Sequence, residues 1–227
     1  AIACTDHGVM YGCVQFYKAA KKAGIKPIIG CEVYVATRTR FDKVNRIDGN
    51  NHLILLCKNE TGYKNLIKMV SAGFLEGFYS KPRIDHDLLE QYHEGLICLS
   101  ACLSGQIPRL LAAGDYAGAK EAAQRYLAIF GTEDYYIEVQ NHGIEEQRRI
   151  LPLLRRLAGE LGVKLAATND CHYITKADHR MQHVLTCIQT NTTVDNPSME
   201  FATDEFYVKS RDEMAAALPG FEAAGEG

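Results

Sequence analysis

The chain has 227 residues, is 47% hydrophobic and 23% charged, and carries a formal net charge of -3. That composition supports a sizeable core and excludes global disorder. No apolar run approaches the roughly 20 residues of a membrane helix, and the charge excludes a globally basic nucleic-acid binder, leaving only a local patch for such contacts.

Ala1–Cys4 reads as a short strand that closes at Thr5-Asp6-His7-Gly8. Ala1 starts inside an apolar run with neither Met nor lead-in, and no secretory signal is visible, which points to a piece of a longer protein. Val9–Ala23 has helical periodicity and stops at Gly24. Ile25–Ile29 is the next strand, leading into Gly30-Cys31-Glu32 and extended by Val33–Ala36. Thr37–Asn51 is polar and reads as an exposed loop; its cations Arg38, Arg40, Lys43 and Arg46 offer a contact for DNA or a partner, with an ordinary solvated loop as the favoured reading.

His52–Cys57 is the third strand and Thr61–Leu75 an amphipathic helix. A turn at Phe78-Tyr79-Ser80-Lys81-Pro82-Arg83 precedes a short helix opened by Asp85 or His86. Leu96–Leu99 is the fourth strand, ending at Ser100-Ala101-Cys102. Helices follow near Gln106–Ala113 and Asp115–Phe130, the second with Asp115 as N-cap and Gly131 as C-cap. Tyr135–Val139 is the fifth strand, ending at Gln140-Asn141-His142. Ile144–Leu161 is helical by period, and Pro152 predicts a break near Ile150. Val163–Thr168 is the sixth strand, Lys176–Ile188 a helix, Glu205–Val208 a short strand and Arg211–Leu218 a short helix. The polar run from Gln189 sets a domain boundary near residue 190.

Six strand–ligand–helix alternations argue for parallel strands joined by helices, in a closed or nearly closed ring. Neither G-x-G-x-x-G nor a P-loop is present. The eight cysteines lie mostly in or beside apolar runs with no C-x-x-C pair, which reads as reduced, buried, cytosolic thiols. Asp170 and His172, two apart at a strand end, share one face of an extended backbone and suit a divalent transition metal. His7, Glu32, His52, Cys102 and His142 each stand beside their own apolar run, His52 at the start of its strand. Asp6 is either a ligand or a carboxylate orienting His7. Lys81 and Arg83 are phosphate-binding candidates as well as an ordinary basic surface. Cys31 and Cys171 point away from the ligand face and read as core, and His86 and His93 as surface.

Thr5-Asp6-His7-Gly8, Lys26–Glu32, Lys81-Pro82-Arg83-Ile84-Asp85, Leu99–Leu103, Gln140-Asn141-His142-Gly143 and Thr168–Tyr173 resemble, as a set, the PHP domain of bacterial replicative DNA polymerases. Asp204–Ser210 resembles the point where such chains leave that domain for the polymerase body, giving 1–190 as barrel and 191–227 as the start of the connection. The resemblance implies an α/β fold, a distorted (β/α)7 TIM-like barrel, here without its first strand and the His-x-His of that strand. It implies zinc or manganese, up to three ions in a complete domain and fewer here, on Asp6 or His7, Glu32, His52, Cys102, His142, Asp170 and His172, with Glu32 bridging two ions.

The function so implied is metal-dependent 3′–5′ exonuclease or phosphoesterase chemistry on DNA, in the cytoplasm, within a polymerase. The implied partners are DNA, the polymerase body of the same chain, a proofreading exonuclease subunit and other replisome subunits, with no membrane. Two rivals remain: an inactive docking or structural domain, and a free-standing phosphatase of histidinol-phosphate type.

Overall fold

The computed structural model describes residues 1–221 and 224. Two compact units emerge, one formed by residues 1–137 and 157–164, the other by residues 138–156 and 165–227.

In the first unit, β1 (Ile2–Cys4) lies parallel to β2 (Pro27–Ala36), with α1 (Cys13–Lys22) between them in the chain. β3 (Asn50–Cys57) then runs antiparallel to β2, in register Glu32↔Ile54 and Tyr34↔His52. The connection 37–49 contains no helix. A parallel return generally needs a helical crossover, so the strand comes back reversed. This corrects the expectation of uniformly parallel strands. It also explains why His52 begins its strand: on a reversed strand the first residues face the far end of β2.

α2 (Glu60–Leu75) follows, with the Asn59 side chain accepting from Gly62 N at 3.0 Å, then β4 (Arg83–Ile84), parallel to β2. α3 (His86–Tyr92) is capped by Asp85, whose carboxylate accepts from Leu88 N at 3.2 Å. β5 (Leu96–Leu99) is antiparallel to β3 and parallel to the start of β6 (Tyr135–Val139). Between β5 and β6 come α4 (Gln106–Ala112) and α5 (Tyr116–Asp134). Gly131, expected to end α5, does break it at φ 74°, but one more turn follows. The sheet is mixed, with helices between its strands, so the α/β class of the sequence reading stands. Its buried face is built from Val33, Val35, Leu53, Leu55, Leu96 and Ile137.

α6 (Glu145–Leu161) is continuous through Pro152, against the expected break. Gln147, Ile150, Leu154, Leu157 and Ala158 form one buried stripe, while Arg148 and Pro152 are exposed. Water can therefore take the carbonyl that proline leaves without a donor. Burial of the stripe offsets the roughly 3 kcal/mol penalty of an interior proline.

In the second unit, Thr168 N, just past β7 (Lys164–Ala167), donates to Val139 O of β6 at 3.2 Å. α7 (His179–Thr190) and α8 (Arg211–Ala217) follow, the latter opened by a Ser210–Glu213 capping box. The expected strand Glu205–Val208 is reduced to a single bridge, Tyr173↔Tyr207.

Candidate metal centre

Glu32 is the sixth residue of β2, buried at 2% exposure. Alternation along the strand puts Glu32 and Tyr34 on one face, and the register adds His52 and Ile54 from β3. The diagonal pair Glu32–His52 then meets, with His52 Nδ1 2.9 Å from Glu32 Oε1. His7 arrives by another route. Glu32 N donates to Asp6 O at 3.0 Å and Gly8 N donates to Glu32 O at 2.8 Å, which fixes the segment after β1 alongside β2. His7 Nδ1 lies 2.6 Å from the same Oε1.

Cys102 comes from the turn after β5. His52 N donates to Ser104 O at 3.0 Å and Gly105 N to Cys102 O at 2.8 Å, hanging the turn on the backbone of β3. A Cβ on Gly105 would sit 2.3 Å from Ser100 O, so the turn closes only with glycine there. Cys102 Sγ lies 3.7 Å from His52 Nδ1. One ligand atom each from Glu32, His52 and Cys102 falls within 4.8 Å of the others. Donors on a tetrahedral ion with bonds of about 2.0–2.3 Å are themselves about 3.3–3.8 Å apart. The carboxylate, imidazole and thiol therefore fit one divalent ion with little movement, and thiol plus imidazole is a donor set suited to zinc.

Burial pushes the Glu32 carboxyl up, but hydrogen bonds and charge from His52 and His7 outweigh it and hold the group at about 2. The site thus keeps an anion under all ordinary conditions. Burial, with Glu32 and Cys31 nearby, pushes the Tyr34 phenol up to about 12, and its ring packs edge-on to His52 at 5.2 Å. Cys31, on the opposite face of β2, is raised to about 12 by burial and remains a core thiol, as the alternation predicts.

The other expected donors stand differently. The Asp6 carboxylate accepts from Gly12 N at 2.9 Å, holding the entry to α1. Arg83 is 0% exposed and donates to the carbonyls of Gly77, Arg40 and Asp42, so it is not presented to a phosphate as expected. Lys81 does face outward, with its ammonium 5.3 Å over the Tyr34 ring.

In the second unit His142 is fully buried. Its Nδ1 accepts from the Gln147 amide at 2.8 Å, its Nε2–H donates to Asn169 O at 3.0 Å, and its ring stacks on Phe206 at 3.9 Å. Burial pushes this imidazole down to about 4, against the Asn169 carbonyl that favours a proton. It is a neutral histidine with both nitrogens engaged. Asp170 and His172 do not share an extended face: Asp170 takes φ 42°, and His172 Nδ1 turns back to Asp170 O at 2.6 Å. The Asp170 carboxylate is 4.0 Å from that nitrogen.

Two further expectations need correction. Cys171 is exposed rather than core, because the same left-handed residue turns it outward. His86 is buried against Tyr126 at 5.1 Å between ring centres, not at the surface. The basic loop is partly neutralised, Arg38 by Asp48 and Arg40 by Asp85 and Glu76.

A model of the PHP domain family matches residues 1–142. The DNA polymerase III subunit alpha of Treponema pallidum is 49% identical over 224 residues, covering 97% of this chain and 19% of that protein. The subunit of the same name from Thermus aquaticus is 46% identical over 226 residues, 98% of this chain and 18% of that protein. That of Deinococcus radiodurans is 44% identical over 225 residues, 96% and 17% respectively. The chain spans about a fifth of the length of these curated relatives.

Proposed function

This chain belongs to the PHP domain family, and on that premise we propose that it is the metal-binding part of a bacterial replicative DNA polymerase. Its role there would be a metal-dependent phosphoesterase or 3′–5′ exonuclease acting on DNA. The observation that carries the reading is the convergence of Glu32, His52 and Cys102 within 4.8 Å, with His7 on the same carboxylate oxygen. In this reading these four residues hold zinc or manganese. A bound divalent ion supplies Lewis-acid polarisation of a phosphodiester and a water acidified towards neutrality.

The chain's own residues do the rest. Glu32 stays ionised and, with no ion bound, lies at hydrogen-bond distance from both Nδ1 atoms, holding the imidazoles where an ion would replace those contacts. Tyr34 walls one side of His52 and excludes water there. Lys81, outward on Tyr34, would meet a phosphate oxygen in this reading. Asp6 in the first unit, and separately His142, Asp170 and His172 in the second, are proposed as further metal donors; His142 would have to exchange its present hydrogen bonds for that role. Residues 1–190 would form the metal-binding barrel and 191–227 the start of the connection to the polymerase body, in a cytoplasmic protein whose full-length activity is DNA-directed DNA synthesis.

A second reading, a docking domain for a proofreading exonuclease subunit, is favoured by one observation: His142 is satisfied without a metal. The deciding experiment is metal analysis of the full-length protein together with chelator-sensitive hydrolysis of a labelled 3′ end. Bound metal with chelator-sensitive hydrolysis is expected; metal without hydrolysis supports the docking reading, and neither would sink the metal centre.

A further inference from the structure

We infer that loop 37–49, together with residues 77–81, forms a platform for single-stranded nucleic acid beside the cluster. The inference rests on reading the cluster as acting on a nucleic-acid strand. Loop 37–49 is polar by composition, yet two of its backbone carbonyls are tied to a buried cation. The buried Arg83 guanidinium donates from Nη2 to the carbonyls of Arg40 at 3.3 Å and Asp42 at 2.7 Å, and from Nε to that of Gly77 at 3.1 Å. Those carbonyls flank Phe41 and precede Phe78. A Cβ on Gly77 would lie 1.8 Å from Arg83 O, so this close approach admits only glycine. Arg40 is held in turn by both oxygens of Asp85 at 3.0 Å and by Glu76 at 2.6 Å.

What this framework holds outward is a pair of aromatic rings. Phe41 is 60% exposed and rests on the Arg40 guanidinium at 4.2 Å. Phe78 is 50% exposed and stacks on Phe74 with centroids 6.1 Å apart. Burying a cation to immobilise two solvent-facing phenyl rings is unfavourable for folding alone, because desolvation of the charge is only partly recovered. Exposed cations lie on the same segments. Lys43 and Arg46 have no carboxylate within ion-pair distance among the described residues, and Lys81 lies over Tyr34.

The loop starts where Ala36 faces Asn50, two residues along from the Tyr34–His52 pair, or about 7 Å of strand. Fixed aromatic faces with interleaved cations match an unpaired strand, whose bases stack on rings regardless of sequence while phosphates meet Lys and Arg. A duplex keeps its bases stacked internally and cannot use the rings. A protein partner would meet Val44 and Ile47 on the same loop, and that alternative is an outcome of the test.

The test is fluorescence anisotropy of a labelled oligothymidylate with this chain, in chelator. We expect the oligothymidylate to bind more tightly than a duplex of equal length. Phe41→Ala and Phe78→Ala should each weaken binding by about ten-fold, and Phe41→Trp should preserve it. The double variant Lys43→Glu/Arg46→Glu should lower the salt slope by about 1.4. Equal affinity of wild type and variants, or equal affinity for duplex, overturns the platform and leaves a protein-facing surface. Should Phe78→Ala fail to fold by circular dichroism, the double variant, at exposed positions, decides. Because no metal is present, loss of binding here is distinguishable from failure of the metal centre, which metal content reads separately.

Discussion

His7 and His52, in the unit formed by 1–137 and 157–164, both turn Nδ1 towards one carboxylate oxygen, at 2.6 and 2.9 Å. In the other unit, His142 turns its two nitrogens to an amide and a backbone carbonyl, and His172 turns Nδ1 to a backbone carbonyl. The residue types are the same and the surroundings differ. His52 and Glu32 sit on paired strands whose pleat and register dictate which side chains meet. His142, Asp170 and His172 sit just past strand ends, where the backbone leaves its regular path and supplies unpaired carbonyls of its own. We propose that donor atoms aimed at one another, as at Glu32 and His52, make a site ready for an ion, and that His142, whose nitrogens address an amide and a backbone carbonyl, acts as a structural pin.

The largest expected effect tests the pins. His142→Ala removes a buried ring and orphans the Gln147 amide and the Asn169 carbonyl. It should lower stability by about 3 kcal/mol in urea melts of the metal-free chain. His7→Ala, at a side chain 50% exposed, should cost less than about 1 kcal/mol. Equal losses would mean that the two groups of histidines are not different in kind.

Next comes the ion. Glu32→Gln removes the anion that both imidazoles address and should weaken zinc by about 100-fold in competition with a chromophoric chelator, equivalent to about 2.7 kcal/mol. His142→Gln should leave that affinity within a factor of about two. A loss as large for His142→Gln as for Glu32→Gln would show that the second unit supplies ligands to the tightest site, and the contrast would be wrong.

Cys102→Ser sharpens the same point with a smaller change. The thiolate is the soft donor of the trio, so its replacement by a hydroxyl should weaken zinc by about ten-fold while manganese changes little. Unchanged zinc affinity would take Cys102 out of the ligand set.

The sequence carried the first unit better than the second, for physical reasons. Asp85 and Asp115 were identifiable as helix caps because capping depends on a few adjacent residues, and both carboxylates do accept from the backbone N–H three residues on. Glu32 and His52 were identifiable as candidates, but their meeting depends on β3 running backwards. The signal for that lay in loop 37–49, which is long and has no helical period. Arg83 could not have been seen as buried, because two of its three carbonyl partners lie 41 and 43 residues away in the chain, with no side-chain signature. The same holds for His142: that Asn169 O would take its Nε2–H is a tertiary fact 27 residues distant. Pro152 misled through a local rule that a strong amphipathic stripe overrides.

His86 gives the finest test, because it is a buried histidine in the first unit that belongs neither to the cluster nor to the backbone pins. Burial, with the Arg125 charge adding to it, holds its imidazole at about 4, against the pull of Asp85 and Asp87. The unfolded ring titrates near 6.5. Below that pH the unfolded chain takes up a proton that the folded chain refuses, so stability is full above about pH 6.5 and falls as pH drops towards 4. The loss attributable to it is on the order of 1–2 kcal/mol between pH 6.5 and 4.5. His86→Phe keeps a ring against Tyr126 and removes the titration, so its urea midpoint should fall less steeply over that interval than the wild type's. If the two profiles run parallel, the imidazole is already protonated in the folded chain, and its burial carries a charge that Asp85 and Asp87 must be compensating.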